Sequence, residues 1–186
     1  MNEVLRTILS RRSIRSYKPD AVAKEDIETI LQAALHAPSG AGAEPWHFIV
    51  ITDRNSIENF DARTRAAMAD SGIERIETLV KAPRYRVFFG APVVILICKE
   101  KIMRNSGRHL SPLADCSAAI QNMTLAAASI GLGSCWIGLV RYLFEKEPSF
   151  MAPEGYEPVF ALTLGYPLGS SEARSQRREG TVTWVE

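Results

Sequence analysis

Residues 91–99, APVVILICK, restrict the fold more than any other stretch of this chain. From Val93 to Cys98 no polar side chain interrupts the run, and Val93, Val94, Ile95 and Ile97 are β-branched. The run is too short to cross a bilayer. Headed by a proline, it reads as a strand buried on both faces of its sheet. Such a strand needs helices packed against each face. A chain of 186 residues is long enough to supply them within one domain, residues 1–186.

Helical periodicity meets that demand. In AKEDIETILQAALHAPSG, Ile27, Ile30, Leu31, Ala34 and Leu35 form one apolar stripe. Glu25 and Asp26 suit the helix N-terminus, and Pro38 ends the segment. The stretch 111–133 opens with Ser111 as a cap and Pro112 at the first helical position, and Gly131 and Gly133 close it. Its many small residues allow close packing around most of its circumference, so it reads as the central helix. Further helices are expected over 3–10, 56–71 and 73–82. WHFIVIT (46–52), SCWIGL (134–139) and EPVFALTLGYP (157–167) read as strands, and the terminal TVTWVE as a short one. Helices and strands interleave without a regular βαβ series, which favours an α+β sheet covered by helices over a doubly wound sheet.

A net charge of +1 excludes a broad basic surface, and with it nucleic-acid binding by charge alone. Cys98, Cys116 and Cys135 are scattered in apolar contexts and read as buried thiols. His36, His47 and His109 have no metal-ligand spacing, and His47, inside a strand, reads as a core or dimer-interface residue. No signal-peptide order or membrane span is visible, so a cytoplasmic protein is expected.

Against this near-neutral background, LSRRSIRSY (9–17) places Arg11, Arg12, Ser13 and Arg15 within five positions. The stretch reads two ways: as guanidinium forks and a hydroxyl gathered for a phosphate, or as a basic turn complementing the preceding helix dipole. APSGAGAEPWHFIV (37–50) carries small residues that let backbone approach a flat ligand, or simply make a permissive turn. GLGSCWIG (131–138) follows a helix and enters a strand, the reverse of a dinucleotide-binding turn. The tail EARSQRREG carries Arg174, Arg177 and Arg178, either as a solvated loop or as a second half of an anion site. No hydrolytic triad is suggested, and Asp115 reads as dipole compensation at a helix start. An enzyme of this composition takes its reactive group from a cofactor.

In this order, RRSIRSY, APSGAGAEPWHFIV, GAPVVILI, DCSAAIQNMTLAAASIGLGSCWIG and ALTLGYP resemble the FMN-dependent nitroreductase family. The resemblance implies a central, mostly antiparallel sheet covered by helices, in a homodimer with a swapped C-terminal tail and two FMN sites. It implies ping-pong chemistry, in which NADH or NADPH reduces the flavin and a nitroaromatic, quinone or related small-molecule oxidant then replaces it. It assigns Arg11, Arg12, Ser13 and Arg15 to the FMN phosphate and ribityl chain. Pro38, Ser39, Gly40 and Gly42 would cover the flavin from the other protomer. The backbone of Ile137 and Gly138 would lie beside N5 and O4, and Arg174 and Arg177 would complete the phosphate site. Flavin N5 would carry the hydride, with no catalytic side chain and no metal. Family members often have Asn where Gly42 stands and Gln where Glu44 stands. Their pyrimidine-edge Asn and Lys have no clear counterpart beyond Arg86, and the 99–112 segment over the substrate pocket is short. Two other functions stay open: a flavin-binding storage or sensing protein, and a specialised reaction such as flavin fragmentation, dehalogenation or dehydrogenation of a metabolite.

Overall fold

A computed structural model describes residues 1–101, 111–169 and 177–186. Four strands, β1 (Trp46–Ile51), β2 (Val93–Glu100), β3 (Gly133–Ile137) and β4 (Tyr156–Gly165), pair antiparallel throughout in the order β1-β2-β4-β3. Among the described residues six α-helices pack around the sheet: α1 (Glu3–Ser10), α2 (Lys24–Leu35), α3 (Arg54–Ala69), α4 (Glu74–Lys81), α5 (Pro112–Ser129) and α6 (Arg141–Lys146). The architecture is α+β, as the chain's apolar pattern requires.

The two faces of β2 build two cores. Val94, Leu96 and Cys98 pack with Phe60 of α3 and with Leu143 and Phe144 of α6. Val93, Ile95 and Ile97 pack with Ile30 of α2 and with Ile120 and Met123 of α5. Phe60 anchors the first core, its ring centroid 4.7 Å from those of both Phe88 and Phe150. Fully burying one such ring contributes roughly 1.5–3 kcal/mol. α5 begins as expected, the Ser111 hydroxyl accepting the Ala114 N–H at 3.3 Å. It ends at Gly131, whose φ of 81° lets the Leu132 N–H return to the Ala127 carbonyl at 2.8 Å.

Three expectations change, and one element is added. Gly133 opens β3 instead of closing α5. α6 breaks the segment between β3 and β4. His47 is exposed, its ring 5.2 Å from Tyr156, so it is no core residue. TVTWVE has no secondary structure and is exposed, and no strand among the described residues pairs with it. All three cysteines are buried and free.

Asp61 of α3 pins the loop before β2, its Oδ2 accepting the Val87 N–H at 2.6 Å and the Phe88 N–H at 3.2 Å. Burial raises its pKa, against the pull of those N–H groups and of Arg65 and Arg86. The folded protein therefore holds this proton to higher pH than the unfolded chain does. Between the ordinary carboxylate value and the raised one, Asp61 makes stability fall as pH rises. Asp61→Asn keeps an acceptor and removes the titration. Thermal melts across the acidic range should show the variant gaining on the wild type as pH rises through that window, then a constant difference above it.

Candidate functional site

The arginine stretch leaves α1 and runs beside the sheet. Ser13 bridges Ser134 in parallel register, and the Ile14 N–H donates to the Ser134 carbonyl at 2.9 Å. Tyr17 bridges Pro167, and its hydroxyl is 2.7 Å from both the Ile14 carbonyl and Thr163 Oγ1. Burial, the leading cause, pushes the Tyr17 pKa upward, so the hydroxyl stays neutral in this network. Two glycines make room for the stretch. A Cβ at Gly133 would stand 2.8 Å from Ile14 Cγ1, and one at Gly165 would stand 2.9 Å from Tyr17 Cδ1. Sheet and stretch are thus fitted to each other at positions where only hydrogen leaves space.

This seating places the stretch carrying Arg11, Ser13 and Arg15 beside β3, next to Cys135. Burial pushes that thiol's pKa up; Arg15 and then Arg11 oppose it by charge, and Arg15 and Ser13 by hydrogen bonding. Among the described residues no carboxylate lies within ion-pair distance of Arg11 or Arg15, although the chain pairs Lys24 with Glu28, Arg54 with Glu58 and Arg63 with Glu147. Guanidiniums without a described carboxylate partner and a hydroxyl, held on one short stretch at the edge of the sheet, can receive an anion such as a phosphate.

Arg12 is placed differently. Its Nη1 donates to the carbonyls of Leu9, Ser10 and Arg11 at 3.0, 2.8 and 2.9 Å. That satisfies carbonyls at the C-terminus of α1. Arg177 is exposed, and Arg174 lies outside the described residues. Arg86 is also exposed, its Nη1 donating to the Tyr85 carbonyl at 3.0 Å.

The Pro-Ser loop lies between α2 and β1, on the α2–α5 face of the sheet. Pro38 and Gly42 are exposed, Ser39 and Gly40 half-buried, and Gly40–Gly42 form one 3-10 turn. Gly42 has φ +67°, and no atom lies within 4 Å of where a Cβ would stand. Sequence spacing gave no hint of the loop's partner, Asp115, which is 75 residues distant and receives the Gly40 N–H at 3.2 Å. At the end of β3 the Ile137 side chain is buried in the core, while Gly138 is exposed with open space beside it. The Gly138 carbonyl accepts the Arg141 N–H at 3.2 Å, and Arg141 borders a cleft of about 390 Å³ with Phe144, Pro158 and Phe160.

A family model described as "Nitroreductase family" matches residues 8–166, which include the arginine stretch, the Pro-Ser loop and all four strands. The chain belongs to the nitroreductase family. A nitroreductase with bound FMN from Bacteroides fragilis NCTC 9343 is 31% identical, with a TM-score of 0.83 and 100% of both chains covered. One from Desulfitobacterium hafniense DCB-2, also with bound FMN, is 26% identical at a TM-score of 0.84, again over 100% of both chains. The FMN reductase (NADPH) of Bacillus subtilis strain 168 is 27% identical over 183 residues, which is 92% of this chain and 68% of that protein. The nitroreductase fold thus extends over the whole chain, although the family model stops before the basic tail. No helix among the described residues is long and apolar enough to cross a membrane.

Proposed function

We propose that this protein is an NAD(P)H-dependent FMN oxidoreductase whose single domain, residues 1–186, works as a homodimer. The observation that carries the reading is the seating of the arginine stretch against β3, through the Ser13–Ser134 bridge and the Ile14 N–H bond to the Ser134 carbonyl, with Arg11 and Arg15 unpaired with any described carboxylate. The residues fit the cofactor. A dianionic phosphate relieves repulsion among the guanidiniums, and Arg174 and Arg177 of the tail add to its neutralisation. The Pro-Ser loop covers the flat ring system with Pro38, Ser39, Gly40 and Gly42, while Arg12 holds the turn that aims Arg11 and Ser13. The backbone of Ile137 and Gly138 orients the ring, and the space beside Gly138 admits it. When bound, FMN supplies a two-electron carrier between NAD(P)H and a nitroaromatic, quinone or related acceptor, which use the site in turn.

Two features support the dimer. The arginine cluster adjoins β3 and the loop leads into β1, the opposite edges of the sheet. One ligand touching both is more readily accommodated between two copies. Val4, Leu5, Ile8 and Leu9 of α1, together with Val182, Trp184 and Val185 of the tail, are also exposed apolar side chains that a second copy would cover. In that arrangement the tail exchanges between protomers, and TVTWVE gains a pairing that the described residues of its own chain do not provide.

An absorbance spectrum tests the assignment. The purified protein should be yellow or become so with added FMN. Without oxygen it should bleach on addition of NADH or NADPH, then recover colour with a quinone or nitroarene. A colourless protein that takes up no FMN overturns the reading. Flavin that neither nicotinamide bleaches overturns the NAD(P)H-dependent turnover while keeping the cofactor.

A further inference from the structure

Three of the four residues from Ala41 to Glu44 include left-handed backbone: Ala41 has φ 54°, Gly42 67° and Glu44 47°. Two of these are not glycine, and such strain persists only where the surroundings impose it. Within the loop, the Gly42 N–H donates to the Ser39 carbonyl, the Ala43 N–H to the Gly40 carbonyl and the Glu44 N–H to Ser39 Oγ, each at 3.1 Å. These bonds close the loop on itself, but none of them fixes it to the domain.

Asp115 supplies that link. It sits in the first turn of α5, and its Oδ1 accepts the Gly40 N–H at 3.2 Å. α5 is firmly placed: Ser111 caps it, and Asn122 Nδ2 donates to the Ala33 carbonyl of α2 at 3.0 Å, tying it to the helix that leads into the loop. Asp115 is only 9% exposed, and its Oδ2 is buried without a hydrogen-bond partner. An orphaned buried acceptor is costly, so simple packing or solubility does not account for a carboxylate here.

We propose that Asp115 is a positioning residue: it holds the Ser39–Gly42 loop, through the Gly40 N–H, in the shape that faces FMN. This rests on the flavin reading above. With the Gly40, Gly42, Ala43 and Glu44 amides engaged inside the protein, the Ser39 and Ala41 N–H groups are the loop amides left for a ligand among the described hydrogen bonds. Asp115 thereby sets both the shape of the loop and the donors it presents.

FMN titration by fluorescence quenching, with thermal melts of the FMN-free proteins, tests the proposal. Asp115→Ala should raise the FMN Kd about tenfold, the loss of one charge-assisted bond. Asp115→Asn keeps an acceptor for the Gly40 N–H and removes the orphaned oxygen. It should hold the Kd near the wild-type value. Gly40→Pro removes the N–H while leaving the carboxylate, so it should weaken FMN as Asp115→Ala does and serves if that variant does not fold. A folded Asp115→Ala protein with wild-type FMN affinity overturns the proposal, as does an Asn variant as weak as the Ala variant. A wild-type protein that binds no FMN overturns the flavin reading and the proposal with it.

Discussion

Replacing both Arg11 and Arg15 with alanine should abolish FMN retention while leaving a folded protein. A hydrogen bond to a charged group contributes about 1.5–3 kcal/mol. Losing two guanidiniums from one phosphate therefore removes about 3–6 kcal/mol, or roughly a hundredfold to ten-thousandfold in Kd. The fold should tolerate the change because neither side chain is buried or bridges to a described carboxylate, and their mutual repulsion disappears with them. Arg12→Ala is the informative contrast. It strips three hydrogen bonds from the end of α1, so it should lower Tm and move FMN affinity much less. Equilibrium dialysis against FMN, with circular-dichroism melts of the same samples, separates the two effects. Wild-type affinity in the double variant would return the stretch to a basic helix terminus.

What the sequence disclosed follows from how local each cause is. The continuous run of β2 could be read as doubly buried because its burial is written in consecutive residues. The limits of α5 could be read because Ser111, Pro112 and Gly131 act within one turn of themselves. α6 was missed because its three buried residues, Tyr142, Leu143 and Phe144, are consecutive and show no helical period. TVTWVE alternates like a strand, but strand formation needs a partner that the described residues of its own chain do not offer. Within the site, the side chains of one short stretch separated for reasons spacing does not carry. Arg12 found nearby carbonyls, while Arg11 and Arg15 were directed by a sheet more than a hundred positions away in sequence. Asp115 was equally hidden, since its role depends on Gly40 arriving from the opposite end of α2.

Gly165→Ala is expected to damage both the fold and the site, although residue 165 touches neither the arginines nor the loop in sequence. The added Cβ would lie 2.7 Å from Pro92 Cδ, 2.9 Å from Tyr17 Cδ1 and 3.1 Å from Pro92 Cγ. Real Cβ atoms do not approach so closely, and neither neighbour yields easily: Pro92 is a ring closed on its own backbone, and the Tyr17 hydroxyl is held by two partners. Overpacking of this kind costs about 1–3 kcal/mol. For a domain of this size that corresponds to a Tm lower by roughly 2–12 °C. The strain cannot stay at Gly165. If Tyr17 tilts away, its bonds to Ile14 and Thr163 weaken, and the stretch carrying Ser13 and Arg15 loses the seat that aims it at Cys135. FMN affinity should therefore fall with stability, even when measured well below Tm. Gly133→Ala, which meets Ile14 alone, should have a smaller effect of the same kind. Melts and FMN titrations on both variants decide the matter. A Gly165→Ala protein that melts low but binds FMN as the wild type does would show that Tyr17 supports the sheet without setting the arginines.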